Sequence, residues 1–225
     1  SAKIAGYLYP EANIQNIGFE RTNYPDGYFD VAIGNVPFGD YRVNDSVYNS
    51  HGFLIHDYFF AKTLDKLRAG GVAAYITTKG TMDKESTKVR EFLFKKAELL
   101  GAIRLPNTAF KNAGTKVTAD ILFLQKREKE IENPEWIAVT EDAQGFRINS
   151  YFVQHPEMIL GTMQEISGPY GMETTCVEKE GVPLGERLRA AISHITGHIP
   201  ERVEEERAEF RYTGRKKGRY HSVPD

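Results

Sequence analysis

The 225 residues carry 29 lysines and arginines against 31 aspartates and glutamates, a formal net charge of −2, with 40% hydrophobic and 27% charged residues. That balance excludes a wholly disordered chain and any strong global field toward nucleic acid or membrane, so such binding must come from a local patch. A single cysteine, Cys176, excludes an intramolecular disulfide framework and a zinc site of several thiolates, and no apolar run approaches the ~20 residues of a bilayer span.

The length suits one domain, or one domain with an appendage. The chain opens Ser-Ala-Lys without an initiator methionine. Ser1 reads as a cloning or processing end, and the chain is expected to be a piece of a larger protein. Residues 4–8 read as the end of a helix stopped by Pro10, and residues 13–19 as a short strand. Residues 21–27 hold Asn, Pro, Asp and Gly and mark a turn. Residues 29–34 form a buried strand that ends in Asn35-Val36-Pro37-Phe38-Gly39, where Pro and Gly stop the ladder. A polar loop over 41–52 leads to a helix over 54–67, with Leu54, Ile55, Tyr58, Phe59, Leu64 and Leu67 on one broad face. Ala69-Gly70-Gly71 stops that helix before a strand over 72–77. Then come a loop (78–84), a helix (86–100), a strand (102–105) ended by Pro106, a polar loop (107–115) and a last strand (119–124).

Strands alternating with helices imply right-handed crossovers and a mainly parallel sheet. Only a loop separates the last two strands, so they are expected to be antiparallel neighbours, giving a parallel sheet with one antiparallel strand at its end. After Lys126 the pattern weakens. Residues 127–132 read as a solvated linker, 136–139 and 146–152 as strands or extended segments, and 183–195 as a helix. An acidic run over 201–209 precedes a basic tail over 211–221, read as weakly docked.

The informative site is Asn35-Val36-Pro37-Phe38, at the carboxyl end of a strand, where open α/β sheets bind ligands. An Asn oxygen and a neighbouring backbone carbonyl can each accept a hydrogen bond from one exocyclic amine. Together they can aim its lone pair at an electrophile. An aromatic ring two residues on can stack on a flat base, as enzymes acting on flipped bases require. Pro37 stiffens the turn and biases Val36 toward extended geometry.

Residues 29–38 resemble the catalytic motif of S-adenosylmethionine-dependent amino methyltransferases, usually Asn/Asp-Pro-Pro-Phe/Tyr after an apolar strand. Residues 3–126 resemble N6-adenine DNA methyltransferases, especially type I modification subunits. They are more similar still to the methylase regions of very large helicase–methylase proteins of bacterial mobile elements. The ordered series Leu67-Arg68-Ala69-Gly70-Gly71, the 72–77 strand, Ile103-Arg104-Leu105-Pro106-Asn107-Thr108-Ala109-Phe110, Gly114-Thr115 and the 120–124 strand carries the resemblance. It implies that Asn35 accepts from the target N6-amine, that the Val36 carbonyl is the second acceptor, and that Phe38 stacks on the extruded adenine. Phe110 would help wall the base pocket. Residues 16–20 would pass the cofactor's adenine, with Phe19 standing where the family usually has Asp and Glu20 as a polar contact.

Two departures stand out. Val36 replaces the usual Pro, which keeps the carbonyl acceptor but loses rigidity. No Gly-rich strand-to-helix turn precedes Asn13, so the family's first βαβ unit and most of its cofactor loop are expected to be missing and this chain inactive alone. Lys79 and Lys84 can meet DNA phosphate, with a solvated loop as the default. His51 and His56 read as helix-start or surface residues. His194 and His198 read as a frayed helix end rather than metal ligands, so no metal site is expected. The resulting expectation is an α/β, Rossmann-like methyltransferase sheet over residues 1–127 and an irregular extension over 128–225. S-adenosylmethionine would be the cofactor and DNA the substrate. A helicase region or specificity subunit would be a partner, the location cytoplasmic, and no membrane would be involved. A protein-glutamine or RNA acceptor, and a degenerate fold that binds DNA or acts as a scaffold, remain open.

Overall fold

The computed structural model describes residues 2–168 and 171–201; the acidic run beyond Glu201 and the basic tail lie outside the described residues. A short helix, α1 (Ala2–Leu8), stands with no buried residue. An irregular segment follows, and β1 (Phe29–Asn35) opens the sheet. Helix α2 (Ile55–Lys66) carries Asp57 in its first turn and Lys66 in its last, each complementing the helix dipole. It passes without a loop into β2 (Leu67–Thr78). Then come the single turn α3 (Gly80–Asp83), α4 (Lys88–Lys96), β3 (Ala97–Leu105) and β4 (Ala119–Lys126).

The sheet order is β1-β2-β4-β3. β1 and β2 are parallel, and β4 is antiparallel to both β2 and β3. Three of the four strands therefore run the same way. The last two strands are antiparallel neighbours, as expected, although β4 is inserted between β2 and β3 rather than standing at the sheet's edge. Gly71 is required where the chain enters β2: a Cβ there would lie 2.9 Å from the Asp30 carbonyl and 3.2 Å from that of Phe29. Any side chain would push β1 off its partner.

Several expectations are corrected. β1 is not a buried strand: none of its residues is buried, and it forms an edge of the sheet among the described residues. Ala69-Gly70-Gly71 lie inside β2 rather than stopping the helix, which ends at Lys66. Residues 13–19 form no strand; the segment ends in a 3-10 turn at Phe19–Arg21 whose Phe19 ring lies on α2, 4.9 Å from Phe59. Local alternation there had no sheet neighbour to pair with. The 86–100 helix stops at Lys96, because Ala97–Leu100 continue helical spacing by coincidence while pairing with β4. The 78–84 loop contains α3.

The region after β4 is built of short pieces: β5 (Val139–Glu141), β6 (Arg147–Asn149), α5 (Ser150–Gln154), a hairpin of β7 (Gly161–Gly168) and β8 (Gly171–Glu178), and α6 (Leu184–Ile192). Ile148, Tyr151, Phe152, Met158, Leu160 and Cys176 join the same buried cluster as the sheet. Leu64, Leu93, Ile103 and Leu122 at its centre have no exposed surface, and each such burial contributes about 1.5–3 kcal/mol.

Candidate active site

Asn35 closes β1 opposite Ile76 of β2, and the Val36 N–H donates to the Ile76 carbonyl at 3.1 Å. The motif therefore leaves the sheet at the end that also carries the loops after β2 and β3. Val36 is 4% exposed and packs in the core, while Asn35 is exposed. Core packing of Val36 fixes the peptide that follows it. Among the described residues, neither the Asn35 side-chain amide nor the Val36 carbonyl makes a hydrogen bond. Phe38 is half-buried against the core. The exit is tied down by the Ile55 N–H, which donates to the Tyr41 carbonyl at 2.9 Å.

The first turn of α2 holds His56 and Asp57, 3% and 2% exposed. His56 Nε2 lies 3.5 Å from Asp57 Oδ1, and Lys84 Nζ lies 3.8 Å from Asp57 Oδ2. Neither His56 nitrogen has a hydrogen-bond partner among the described residues. Burial depresses the His56 pKa against the pull of Asp57, which keeps the ring neutral near neutral pH, and burial raises that of Asp57. His56 is a core residue rather than a surface one, inside the helix start.

Lys79 follows β2 by one residue and is half-buried. Its amine donates to the Thr174 hydroxyl at 2.8 Å and to the Thr174 carbonyl. Phe110 lies in the loop after β3 and packs half-buried on the core. It shares the sheet end with Asn35 but stands three strand intervals away, roughly 14 Å at about 4.8 Å each. Asn35, Lys79 and Phe110 thus lie at one end of the sheet but are spread across its width, with Phe110 on the far side from the motif.

Phe19 and Glu20 belong to a different wall. Phe19 lines an open cavity of about 380 Å3 with Tyr24, Phe29, Val31, Ile33 and Tyr75, around the edge of β1 that has no strand partner among the described residues. Val31, Ile33 and Asn35 alternate on one face of β1. Glu20 is half-buried, with Arg21 Nε 3.4 Å from its carboxylate, and its backbone carbonyl accepts from Lys62 Nζ at 3.2 Å. The cavity presents an apolar wall with the aromatic rings of Phe19, Tyr24 and Phe29, and Glu20, next in the chain to Phe19, is not among its lining residues. Among the described residues, no group of three or more His, Cys, Asp or Glu side chains is arranged to hold a metal ion, and no helix is long and apolar enough to cross a membrane.

Sequence reasoning missed an ion-pair network behind the site. Arg104 and Asp120 face each other across β3 and β4, with Nε to Oδ1 and Nη2 to Oδ2 both at 2.9 Å. Arg104 Nη1 stands 2.8 Å from Asp83 Oδ2, and the guanidinium lies 4.2 Å from the Phe152 ring centroid. Burial opposes the Arg104 charge, but Asp120 and Asp83 outweigh it and shift its pKa upward. The signal was present in the sequence as two charges inside apolar strands, readable as a pair only once their register is known.

The fold is a mixed α/β sheet, three strands one way and one antiparallel, and it carries Asn-Val-Pro-Phe at the end of a parallel strand, the arrangement expected of an S-adenosylmethionine-dependent methyltransferase. The chain matches the N-6 DNA Methylase family over residues 12–162, about two-thirds of its length, and belongs to that family. It is 34% identical over 137 residues to "Defense against restriction protein B" of Escherichia phage P1; the match covers 58% of this chain and 6% of that protein, so the chain spans a small part of its relative. Among solved structures, a putative class I S-adenosylmethionine-dependent methyltransferase from Listeria monocytogenes aligns at 23% identity, covering 51% of this chain and 36% of the other, with a TM-score of 0.39. A modification subunit of a putative type I restriction enzyme from Vibrio vulnificus aligns at 24% identity over 44% of this chain and 23% of the other, with a TM-score of 0.38.

Proposed function

We propose that this chain carries the acceptor side of an enzyme that methylates adenine N6 in DNA, as part of a larger modification protein. Family membership supports the reaction class. The observation that carries the reading is at the end of β1, where neither the side-chain oxygen of exposed Asn35 nor the carbonyl of Val36, the next residue, makes a hydrogen bond among the described residues. In this reading S-adenosylmethionine supplies an electrophilic methyl group. Asn35 and the Val36 carbonyl accept the two amine hydrogens, which localises the nitrogen lone pair and aims it at the methyl carbon. Phe38 holds the base by stacking, and Phe110 closes the far side through its loop. Phe19 and Glu20 receive the purine of the cofactor. The rest of the cofactor site would be completed on the open edge of β1, where Val31 and Ile33 are 50% and 82% exposed.

Residues 1–127 would then be the methyltransferase portion and 128–225 the extension that follows it. DNA is the substrate, a helicase region or specificity subunit of the larger protein the partner, and the cytoplasm of a host carrying a mobile element the setting. The test is transfer of labelled methyl groups by the larger protein to DNA, RNA and protein acceptors. Label in DNA as N6-methyladenine supports the reading; label only in RNA or in glutamine amides replaces the acceptor. No label in any of them leaves a degenerate fold.

A further inference from the structure

Beside the motif lies a cleft of about 520 Å3 that the methyl-transfer reading does not use. Its floor is Thr78, Thr118 and Asn107, at the ends of β2, β4 and β3. One wall is the turn from Lys79 to Lys84 and the other is hairpin β7–β8, through Ile166 and Glu173–Thr175. The hairpin is fastened in place. The Asn107 N–H donates to the Cys176 carbonyl at 2.7 Å, Asn107 Nδ2 donates to Thr175 Oγ1 at 3.1 Å, and the Cys176 N–H donates to Thr118 Oγ1 at 2.9 Å.

Four cationic side chains, Lys79, Lys84, Lys116 and Arg147, line this cleft against two carboxylates, Asp83 and Glu173. Their commitments differ. Arg147 is neutralised by Glu85, with Nε and Nη2 at 2.8 and 2.9 Å from its oxygens. Asp83 is spent on Arg104 and on the Asn149 N–H. Lys79 is bound to the neutral Thr174. Lys84 has only the contact with Asp57 at 3.8 Å, and Lys116 has no ion pair among the described residues. The Lys116 ammonium, with no ion pair among the described residues, and the Lys84 ammonium, held by Asp57 at 3.8 Å, therefore converge from separate segments on a pre-built cleft lined with hydroxyls. A ligand with several acceptor oxygens and a negative charge fits this arrangement. The cleft begins at the end of β2, one strand interval (about 4.8 Å) from the Asn35 motif, and is open to solvent, so a continuous strand can pass through it.

We propose that this cleft binds a phosphodiester of the nucleic-acid substrate beside the nucleotide presented to Asn35, with Lys84 and Lys116 as the charge contacts and the Lys79–Thr174 pair as a fixed wall. The proposal rests on the reading of the chain as acting on nucleic acid. It adds a backbone-positioning site to the base site. Such contacts carry affinity and register rather than sequence.

The test is fluorescence anisotropy of labelled adenine-containing single-stranded and duplex oligonucleotides with the 225-residue chain, over a series of salt concentrations. Lys84→Ala combined with Lys116→Ala is expected to weaken binding about tenfold. It should also flatten the slope of log affinity against log salt by about 0.9 per lost contact on duplex, or about 0.7 on a single strand. Lys129→Ala, in the run after β4, should change neither. Matching thermal melts of the double variant and the parent chain would show that the fold is kept. Unchanged affinity and slope in the double variant, or no salt-dependent binding by the parent chain, overturns the proposal. Asn35→Ala separates the two readings. It should leave the salt slope intact while lowering methyl transfer by the larger protein about 10²–10³-fold, so either result can fail alone.

Discussion

The two flanks of one sheet are finished very differently. On the β3–β4 flank, Arg104 and Asp120 have no exposed surface, and the edge of β3 is met by Ile159, with the Leu160 N–H donating to the Arg104 carbonyl at 2.9 Å. Phe152, Met158 and Cys176 pack over it. On the β1 flank, Val31 and Ile33 are exposed, and no strand pairs with the outer edge among the described residues. The closed flank holds the Arg104 charge in the core between the carboxylates of Asp120 and Asp83. The open flank holds the motif, the Phe19 cavity and an apolar face that solvated proteins rarely leave bare. The contrast places structural stability on one side of the molecule and unfinished binding surface on the other.

The sharpest way to break that contrast is to strip a partner from the closed flank. Asp120→Ala leaves the Arg104 guanidinium buried with Asp83 alone and should cost about 3–5 kcal/mol in urea unfolding. A loss below 1 kcal/mol would mean that water reaches the pair. A paired measurement compares apolar truncations across the sheet. Leu122→Ala, at a fully buried position, should cost about 2–5 kcal/mol. Ile33→Ala should stay within about 0.5 kcal/mol in this chain. Equal losses would show that the β1 face is covered in solution.

The smallest expected effect concerns pH. The folded-state pKa of Asp57 is raised above its ordinary 3.8, chiefly by burial. The folded protein therefore binds that proton more tightly than the unfolded chain. The resulting stability is present in acid and is lost as pH rises through the raised value. Asp57→Asn should accordingly be more stable than the parent chain at neutral pH, with the advantage shrinking toward pH 3.8. An advantage that grows in acid would mean that the Lys84 contact, not burial, governs the carboxyl.

Much of the sheet was legible because β1, β2 and β4 contain apolar runs, with Pro37 after β1 and Gly70-Gly71 before the apolar part of β2, and because the polar loop between β3 and β4 has no helical pattern for a crossover. The motif was legible for the same reason: Pro37 and Gly39 end a strand abruptly. What escaped has physical causes. The two helix-to-strand junctions, Lys66–Leu67 and Lys96–Ala97, have no loop, so apolar spacing reads smoothly across them. Hairpin β7–β8 buries only Met163, Thr175 and Cys176 near its base, too few to set an alternation. The Arg104–Asp120 pair spans 16 residues and depends on strand register. The cleft depends on both hairpin and register, so from sequence Lys84 reads only as a loop lysine able to meet phosphate, and Lys116 carries no signal.

The most direct measurement is N6-methyladenine content of DNA after incubation with S-adenosylmethionine and the larger protein, with Asn35 intact or changed to Ala, quantified by mass spectrometry of nucleosides. The account predicts that Asn35→Ala lowers the rate by about 10²–10³-fold, the scale seen when one positioned hydrogen-bonding group is removed from a reacting centre, while the fold is unchanged. A rate within twofold of the parent protein would contradict it and move the chemistry away from the end of β1.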